Sequence, residues 1–162
     1  MIYLGIGANL GDRMATMRQA LEMLELRGGL VLDCSPVFET PAWGGAAQGS
    51  FLNAVVEIAY QDTAPKLLDT LLHIENLLGR IRQVKWGNRL IDLDILEFHR
   101  EVWSHPLLQL PHPGYTSRAF VLAPFAAFRP DFLPTGSDSS VSDLLPGLDT
   151  HGVELSEEPL WI

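Results

Sequence analysis

The segment RLIDLDILEF, residues 89–98, decides how this chain is interpreted. Asp92 and Asp94 alternate there with aliphatic residues, which is the pattern of a strand with one apolar face. Residues two apart on a strand point to the same side, so both carboxylates project together. Two such charges on an apolar strand repel each other and lose hydration, and a pair of divalent cations removes both costs. The segment therefore predicts a metal site, and Mg²⁺ is the ion that we expect.

Positive charge is concentrated immediately before this strand. Four of the 11 Lys and Arg residues fall within ten positions, namely Arg80, Arg82, Lys85 and Arg89. Guanidinium groups bind the outer oxygens of metal-bound phosphates in a bidentate manner. Alone, the basic segment would more often be the solvated end of a helix, and an isolated Asp-x-Asp would more often line a solvated sheet face. Together the two patterns favour nucleotide chemistry.

Composition limits the class of protein. The 162 residues, 47% of them apolar, suit one globular domain, and the net charge of −9 disfavours a general binder of nucleic acid or anionic membranes. Cys34 is the only cysteine, which excludes a disulfide framework or a thiolate metal site within one chain. No apolar run is long enough for a membrane span, and no signal-peptide pattern is present. We expect a cytoplasmic monomer that acts on small molecules, without nucleic-acid or membrane partners.

The order of elements predicts the fold. A first strand breaks at Gly7, Asn9 and Gly11, and a helix follows over residues 13–27, for which Asp12 is the expected N-cap. Strands over 30–40 and 51–61, a helix over 64–81 and the strand DLDILEF complete a β-α-β-β-α-β order. This is an α+β, ferredoxin-like antiparallel sheet with two helices on one face.

The remainder of the chain adds helices and loops to this sheet. We predict a proline-punctuated loop over 104–115, a helix over 116–128 that includes Pro124, and a short helix within 140–148. We expect one domain over 1–162, in which 136–162 form an acidic C-terminal extension.

Several segments resemble, in the same order, those of the 6-hydroxymethyl-7,8-dihydropterin pyrophosphokinases, which are enzymes of folate biosynthesis. The similarity spans about residues 2 to 135, and the segments are LGIGANLGDR, FETPAWG, FLNAVV, LLGRIR, WGNRLIDLDIL and LPHPGYTSRAFVLAPF. The resemblance implies an ATP-dependent diphosphotransferase. It would transfer pyrophosphate from ATP to 6-hydroxymethyl-7,8-dihydropterin by direct in-line transfer, assisted by two Mg²⁺ ions, and release the pterin diphosphate and AMP.

The resemblance also implies roles for individual residues. The catalytic residues would be Arg82, Arg89, Asp92 and Asp94, with the two aspartates as metal ligands. ATP binding would fall to Glu75, Arg80, Arg82, Trp86, Arg89, His112 and Arg118. The pterin would be bound by Thr40, Pro41, Trp43, Phe51, Asn53 and Phe120.

Two other classes of protein fit parts of the pattern. A Mg²⁺-dependent nuclease would use paired strand carboxylates, but a polymer substrate needs many phosphate contacts and the chain is acidic. A non-catalytic ferredoxin-like regulatory domain would need no Asp pair beside an Arg cluster. At the level of single residues, Phe51 and Phe120 are more often core residues than ring-stacking ones. Asn53 suits a heterocycle edge or the end of a sheet equally well.

Overall fold

The computed structural model of the protein describes residues 1–41, 49–79 and 90–161. Within these residues the strands are β1 (Ile2–Ala8), β2 (Gly29–Cys34), β3 (Phe38–Thr40), β4 (Phe51–Tyr60), β5 (Asp92–Phe98), β6 (Trp103–His105), β7 (Leu108–Leu110) and β8 (Glu154–Leu155). The α-helices are α1 (Arg13–Glu25), α2 (Ala64–Leu77), α3 (Ala119–Phe128) and α4 (Val141–Leu144). Short 3₁₀ turns span Tyr115–Ser117 and Leu145–Gly147.

The main sheet has the strand order β5-β1-β4-β3-β8. β2 also belongs to it and pairs with the C-terminal half of β4. Each of these pairings is antiparallel. The predicted α+β class is confirmed, and the order of elements up to β5 is the predicted one except that an additional strand precedes β4. β1 lies between β5 and β4. The strand that carries the Asp pair is therefore a direct neighbour of the first strand of the chain.

Helices α1 and α2 cover one face of the sheet. Asp12 caps α1 as predicted, because its side chain accepts a hydrogen bond from the Ala15 N–H at 3.1 Å. Pro65 lies in the first turn of α2, where its missing N–H costs no helical bond. The core under these helices includes Met17, Leu21, Leu24, Leu67, Leu71, Ile74, Leu93 and Ile95.

The opposite face of the sheet is partly covered by α3. This helix is apolar on all sides, as expected of a helix buried within a domain. Phe125 packs with Tyr3 and Phe132 at ring-centroid distances of 4.9 Å in both cases. The predicted helix that includes Pro124 is therefore present, and it gives the protein a second apolar core.

Three elements differ from the sequence predictions. The strand predicted over 30–40 is divided into β2 and β3 around Pro36, which has no N–H to donate. At this break the hydroxyl of Ser35 accepts a hydrogen bond from the Val55 N–H at 2.8 Å. The segment predicted as a loop over 104–115 contains most of the hairpin β6–β7, whose Leu108 and Leu110 are buried. Strand β8 was not predicted.

The described part of the acidic extension, residues 136–161, packs against the rest of the protein. β8 pairs with β3, and the Ser156 N–H donates to the Val37 carbonyl at 2.8 Å. Arg18 donates to the carbonyls of Pro159 and Leu160, and Leu160 is buried in the helix-side core. Over the described part of the chain, every helix is too short or too polar to cross a membrane.

Candidate functional site

A cleft opens on the sheet face that α3 partly covers. It encloses about 770 Å³ of non-protein space, including the open solvent at its mouth. Its walls come from β1, β3, β4 and β5, from the segment after β7 and from the start of α3. The lining residues are Gly5, Ile6, Gly7, Thr40, Pro41, Phe51, Asn53, Ala54, Asp92, Asp94, Leu96, His112, Arg118, Phe120 and Val121.

The floor of the cleft is formed by two glycines of β1. Gly7 pairs with Asp92 on one side and with Asn53 on the other, and Gly5 pairs with Asp94. A Cβ atom at Gly7 would lie 2.7 Å from Oδ1 of Asn53, which is closer than real Cβ contacts. Because neither residue has a side chain, the cleft reaches down to the backbone of the sheet. Gly7 lies inside β1, so the predicted break of the strand at this residue is wrong.

The Asp pair has the arrangement that its spacing predicted. Asp92 and Asp94 both line the cleft, whereas Leu93 and Ile95 lie in the opposite core. The side chain of Asp94 is 43% exposed, so its carboxylate is accessible from the cleft. Two carboxylates in an open cleft suit Mg²⁺, which takes few protein ligands and completes its shell with water and substrate phosphates.

The segment after β7 brings two basic side chains to the acidic end of the cleft. His112 is fixed through its backbone N–H, which donates to the Leu96 carbonyl at 2.9 Å. Its Nε2 lies 4.0 Å from Oδ1 of Asp94, and its buried Nδ1 has no hydrogen-bond partner within the described residues. Burial, and then the nearby Arg118 guanidinium, lower the pKa of His112 below its ordinary value. The imidazole is thus kept neutral at physiological pH.

The other end of the cleft combines apolar walls with one amide. Phe51, Phe120 and Pro41 line it. Asn53 is 9% exposed, and its Nδ2 donates to Oγ1 of Thr40 at 2.8 Å. This bond engages the donor side of the amide and leaves Oδ1 over Gly7, facing the floor of the cleft. A flat heterocycle with hydrogen-bonding edges fits such a surface.

Arg13, Glu39 and Ser50 form a hydrogen-bonded cluster, called the latch below, next to this end of the cleft. Arg13, at the start of α1, donates from Nη1 to the carboxylate of Glu39, to the Ser50 carbonyl and to the Ser50 hydroxyl, at 3.1, 3.0 and 3.2 Å. Ser50 also donates to Glu39 at 2.5 Å. These bonds connect the residue before Thr40 with the residue before Phe51. The latch therefore fixes the two chain segments that carry the apolar wall.

The cleft contains most of the site residues that the structure describes. Five of the residues assigned to the pterin line it, as do both aspartates, His112 and Arg118. Glu75 is buried on α2 and does not line the cleft, so its assignment to the nucleotide stays a prediction. The remaining assigned residues lie outside the described part of the chain, namely Trp43, Arg80, Arg82, Trp86 and Arg89.

Six cleft residues had no place in the sequence predictions, namely Gly5, Ile6, Gly7, Ala54, Leu96 and Val121. Gly5 and Gly7 form the floor, and Leu96 and Val121 complete the apolar wall. A glycine inside a strand pattern indicates that another group approaches the backbone closely, and this signal could have identified the floor. Leu96 and Val121 carry no such signal, because they are indistinguishable from core residues in the sequence.

Comparison with known proteins agrees with this geometry. The family model described as 7,8-dihydro-6-hydroxymethylpterin-pyrophosphokinase (HPPK) matches residues 3–130. The 2-amino-4-hydroxy-6-hydroxymethyldihydropteridine pyrophosphokinase of Methylorubrum extorquens is 41% identical over 156 residues, which are 96% of this chain and 98% of that protein. The enzyme of the same name from Bacillus subtilis is 43% identical over 125 residues, or 76% of this chain and 75% of that protein.

Among solved structures, the wild-type HPPK-DHPS of Plasmodium falciparum is similar with a TM-score of 0.69 at 13% identity. The match covers 90% of this chain and 44% of that chain, so this protein spans less than half of that longer polypeptide. At this identity the likeness supports the fold alone. The family match and the two relatives establish more: the chain belongs to the 7,8-dihydro-6-hydroxymethylpterin pyrophosphokinase family and is a pyrophosphokinase of folate biosynthesis.

Proposed function

We propose that the protein transfers the β,γ-pyrophosphoryl group of ATP to the hydroxymethyl group of 6-hydroxymethyl-7,8-dihydropterin and releases AMP. One observation supports this most strongly. A single cleft has an apolar and amide-bearing end beside a carboxylate end that also carries His112 and Arg118. The first end suits a flat heterocycle, and the second suits a metal-bound polyphosphate. An acceptor alcohol on the heterocycle would thus lie next to the phosphate that it attacks.

At the heterocycle end, Phe51 and Phe120 would contact the faces of the pterin ring. Oδ1 of Asn53 would accept a hydrogen bond from the N–H groups on the edge of the pterin. The bond from Nδ2 of Asn53 to Thr40 holds the amide in this orientation. Because Gly7 has no side chain, the ring can approach the floor of the sheet without a steric clash.

At the carboxylate end, Asp92 and Asp94 would hold two Mg²⁺ ions. When bound, the ions would neutralise the triphosphate and act as Lewis acids toward its oxygens. Arg118 would contact phosphate oxygens that face away from the aspartates. The neutral His112 would offer a ring nitrogen as a hydrogen-bonding group without adding a fixed charge. Arg82 and Arg89, assigned from the sequence, would add positive charge from outside the described residues.

The reaction needs positioning more than a covalent catalyst. The hydroxymethyl oxygen attacks the β-phosphorus in line, and the bond from this phosphorus to the α,β-bridging oxygen breaks. The bridging oxygen leaves with AMP, and the hydroxyl proton is released to solvent. No protein nucleophile is required, which agrees with a cleft whose described reactive groups are carboxylates, an imidazole and a guanidinium.

The test is to incubate the pure protein with ATP, Mg²⁺ and 6-hydroxymethyl-7,8-dihydropterin and to separate the nucleotides by chromatography. We expect AMP that depends on the pterin, and no such AMP from Asp92→Ala. ADP or inorganic phosphate in place of AMP would show that a different group is transferred. No nucleotide turnover at all would favour the ligand-binding domain over the enzyme.

A further inference from the structure

Glu97 is a buried acidic residue that the proposed reaction does not use. It lies on β5, three residues after Asp94, and is 0% exposed. Strict strand alternation would turn it toward the helix-side core, away from the cleft. A register shift in the pairing of β1 with β5 changes this, because Tyr3 pairs with Glu97 and Leu4 with Ile95. Glu97 therefore faces the same side of the sheet as the cleft.

Three hydrogen bonds satisfy the carboxylate of Glu97. The Tyr115 hydroxyl donates to Oε1 at 2.9 Å. Thr135 donates from its backbone N–H to Oε1 at 2.9 Å and from its hydroxyl to Oε2 at 2.6 Å. Burying a carboxylate is costly unless such bonds are made, so the site is specific for an acceptor with two oxygens. An aliphatic residue would fill the same space but would leave the buried hydroxyl of Tyr115 without its acceptor.

Tyr115 links this carboxylate to the cleft. It begins the 3₁₀ turn that separates His112 from Arg118, and it is 1% exposed. Its backbone N–H donates to the His112 carbonyl at 3.4 Å, and its carbonyl accepts from the Arg118 N–H at 3.3 Å. Residues 112–118, called the cleft loop below, are thus held to β5 at two points. One is the backbone bond from His112 to Leu96, and the other is the side-chain bond from Tyr115 to Glu97.

We propose that Glu97 is a positioning residue, which fixes the cleft loop through Tyr115 so that His112 and Arg118 face the Asp92–Asp94 pair. This inference rests on the proposed function, because it assigns the held residues to the nucleotide. The Tyr115 hydroxyl keeps its proton at physiological pH, because burial and then the Glu97 charge raise its pKa. It therefore remains a hydrogen-bond donor to Glu97.

Two substitutions distinguish the bond from Tyr115 to Glu97 from the bonds that Thr135 donates to the same carboxylate. Tyr115→Phe removes only the hydroxyl that connects Glu97 with the cleft loop. Thr135→Val is the matched control, because it removes a hydroxyl bonded to the same carboxylate without touching the loop. Both leave Glu97 with two of its three donors. A general loss of stability would therefore affect the two variants alike, whereas a positioning role would not.

Two readouts are measured on each variant. Amide hydrogen exchange in residues 112–118 reports how firmly the cleft loop is held, independently of activity. Steady-state kinetics report KM for ATP, KM for the pterin and kcat. For Tyr115→Phe we expect exchange in the cleft loop to be about tenfold faster and KM for ATP to rise about tenfold, with KM for the pterin within about twofold of wild type. For Thr135→Val we expect both KM values and loop exchange to remain near wild type.

The outcomes separate the inference from the proposed function. Unchanged loop exchange in Tyr115→Phe, or an equal rise in KM for ATP in both variants, would overturn the positioning role. If the wild type releases no pterin-dependent AMP, the proposed function fails and the assignment to the nucleotide fails with it. The exchange data would then still decide whether Glu97 holds the cleft loop.

Discussion

Nε2 of His112 lies 4.0 Å from Oδ1 of Asp94, although the two residues belong to different elements of the fold. Asp94 is on β5, at one end of the strand order, and His112 follows the hairpin β6–β7. At 4.0 Å the imidazole is a close neighbour of the carboxylate without a direct hydrogen bond between these two atoms. The strand and the loop thus bring carboxylates and an imidazole to the same end of the cleft, and the first prediction concerns the two aspartates there.

Asp92→Ala and Asp94→Ala should each reduce pterin-dependent AMP release by at least about a thousandfold, since the loss of metal binding removes several kcal/mol of charge stabilisation. The fold should persist, because both side chains are outside the apolar core. The measurement is initial rate together with a thermal melt. Asp69→Asn, an exposed position on α2, is the control and should retain full activity. Near-normal turnover in either Ala variant would remove the metal assignment.

Gly7→Ala should raise KM for the pterin about three- to tenfold, the equivalent of one hydrogen bond. Its new Cβ would lie 2.7 Å from Oδ1 of Asn53 and force the amide to move. Gly5→Ala is the matched comparison, because its Cβ would meet only the end of the Leu96 side chain, at 3.4 Å. We expect a smaller change there. If the two variants have the same KM for the pterin, Asn53 is not the residue that hydrogen-bonds to the edge of the ring.

The latch of Arg13, Glu39 and Ser50 should make the free energy of unfolding depend on pH in the acidic range. The Ser50 hydroxyl, and then the Arg13 guanidinium, lower the pKa of Glu39 below its ordinary value of 4.5. The carboxylate thus stabilises the fold fully above about pH 4.5, and this contribution is lost as the pH falls through the lowered pKa. Urea denaturation at pH 7, 5 and 3.5 should show a smaller acid loss for Glu39→Gln than for wild type. If the free energy of unfolding falls by the same amount in both proteins between pH 7 and pH 3.5, the latch contributes nothing to stability.

Cys34 should be unreactive despite its partial exposure. Burial, and then the Asp33 charge, raise the pKa of its thiol to about 12. Because only the thiolate is nucleophilic, alkylation by iodoacetamide at pH 8.5 should be at least about a hundredfold slower than that of glutathione. The same protein unfolded in guanidinium chloride should react at the rate of a free thiol. A native protein that reacts equally fast would contradict the position of Cys34 at the end of β2.

The Asp pair and the order of elements could be predicted from the sequence because both depend on short-range periodicity. Alternation in DLDILEF placed Asp92 and Asp94 on one face, and Asp12 marked the start of α1. The same rule fails three residues later, where the register shift between β1 and β5 turns Glu97 to the cleft side. A register shift depends on the partner strand, so the sequence of β5 alone does not reveal it.

Long-range pairing limited the remaining predictions. β8 consists of two residues, and its partner β3 lies more than a hundred positions earlier in the chain. No local pattern indicates such a contact. Gly7 looked like the end of a strand because glycine is a poor strand former, whereas the cleft floor requires a position without a side chain.

The two apolar cores lie on opposite faces of one sheet, and only one of these faces carries the cleft. Substitutions of the apolar core residues beneath α1 and α2 can alter thermal stability with little effect on the residues that line the cleft. Evolution can therefore adjust this protein to a new growth temperature on the helix side, while selection for chemistry acts on the other. A thermostable variant for laboratory use would best be sought by redesigning that helix-side core.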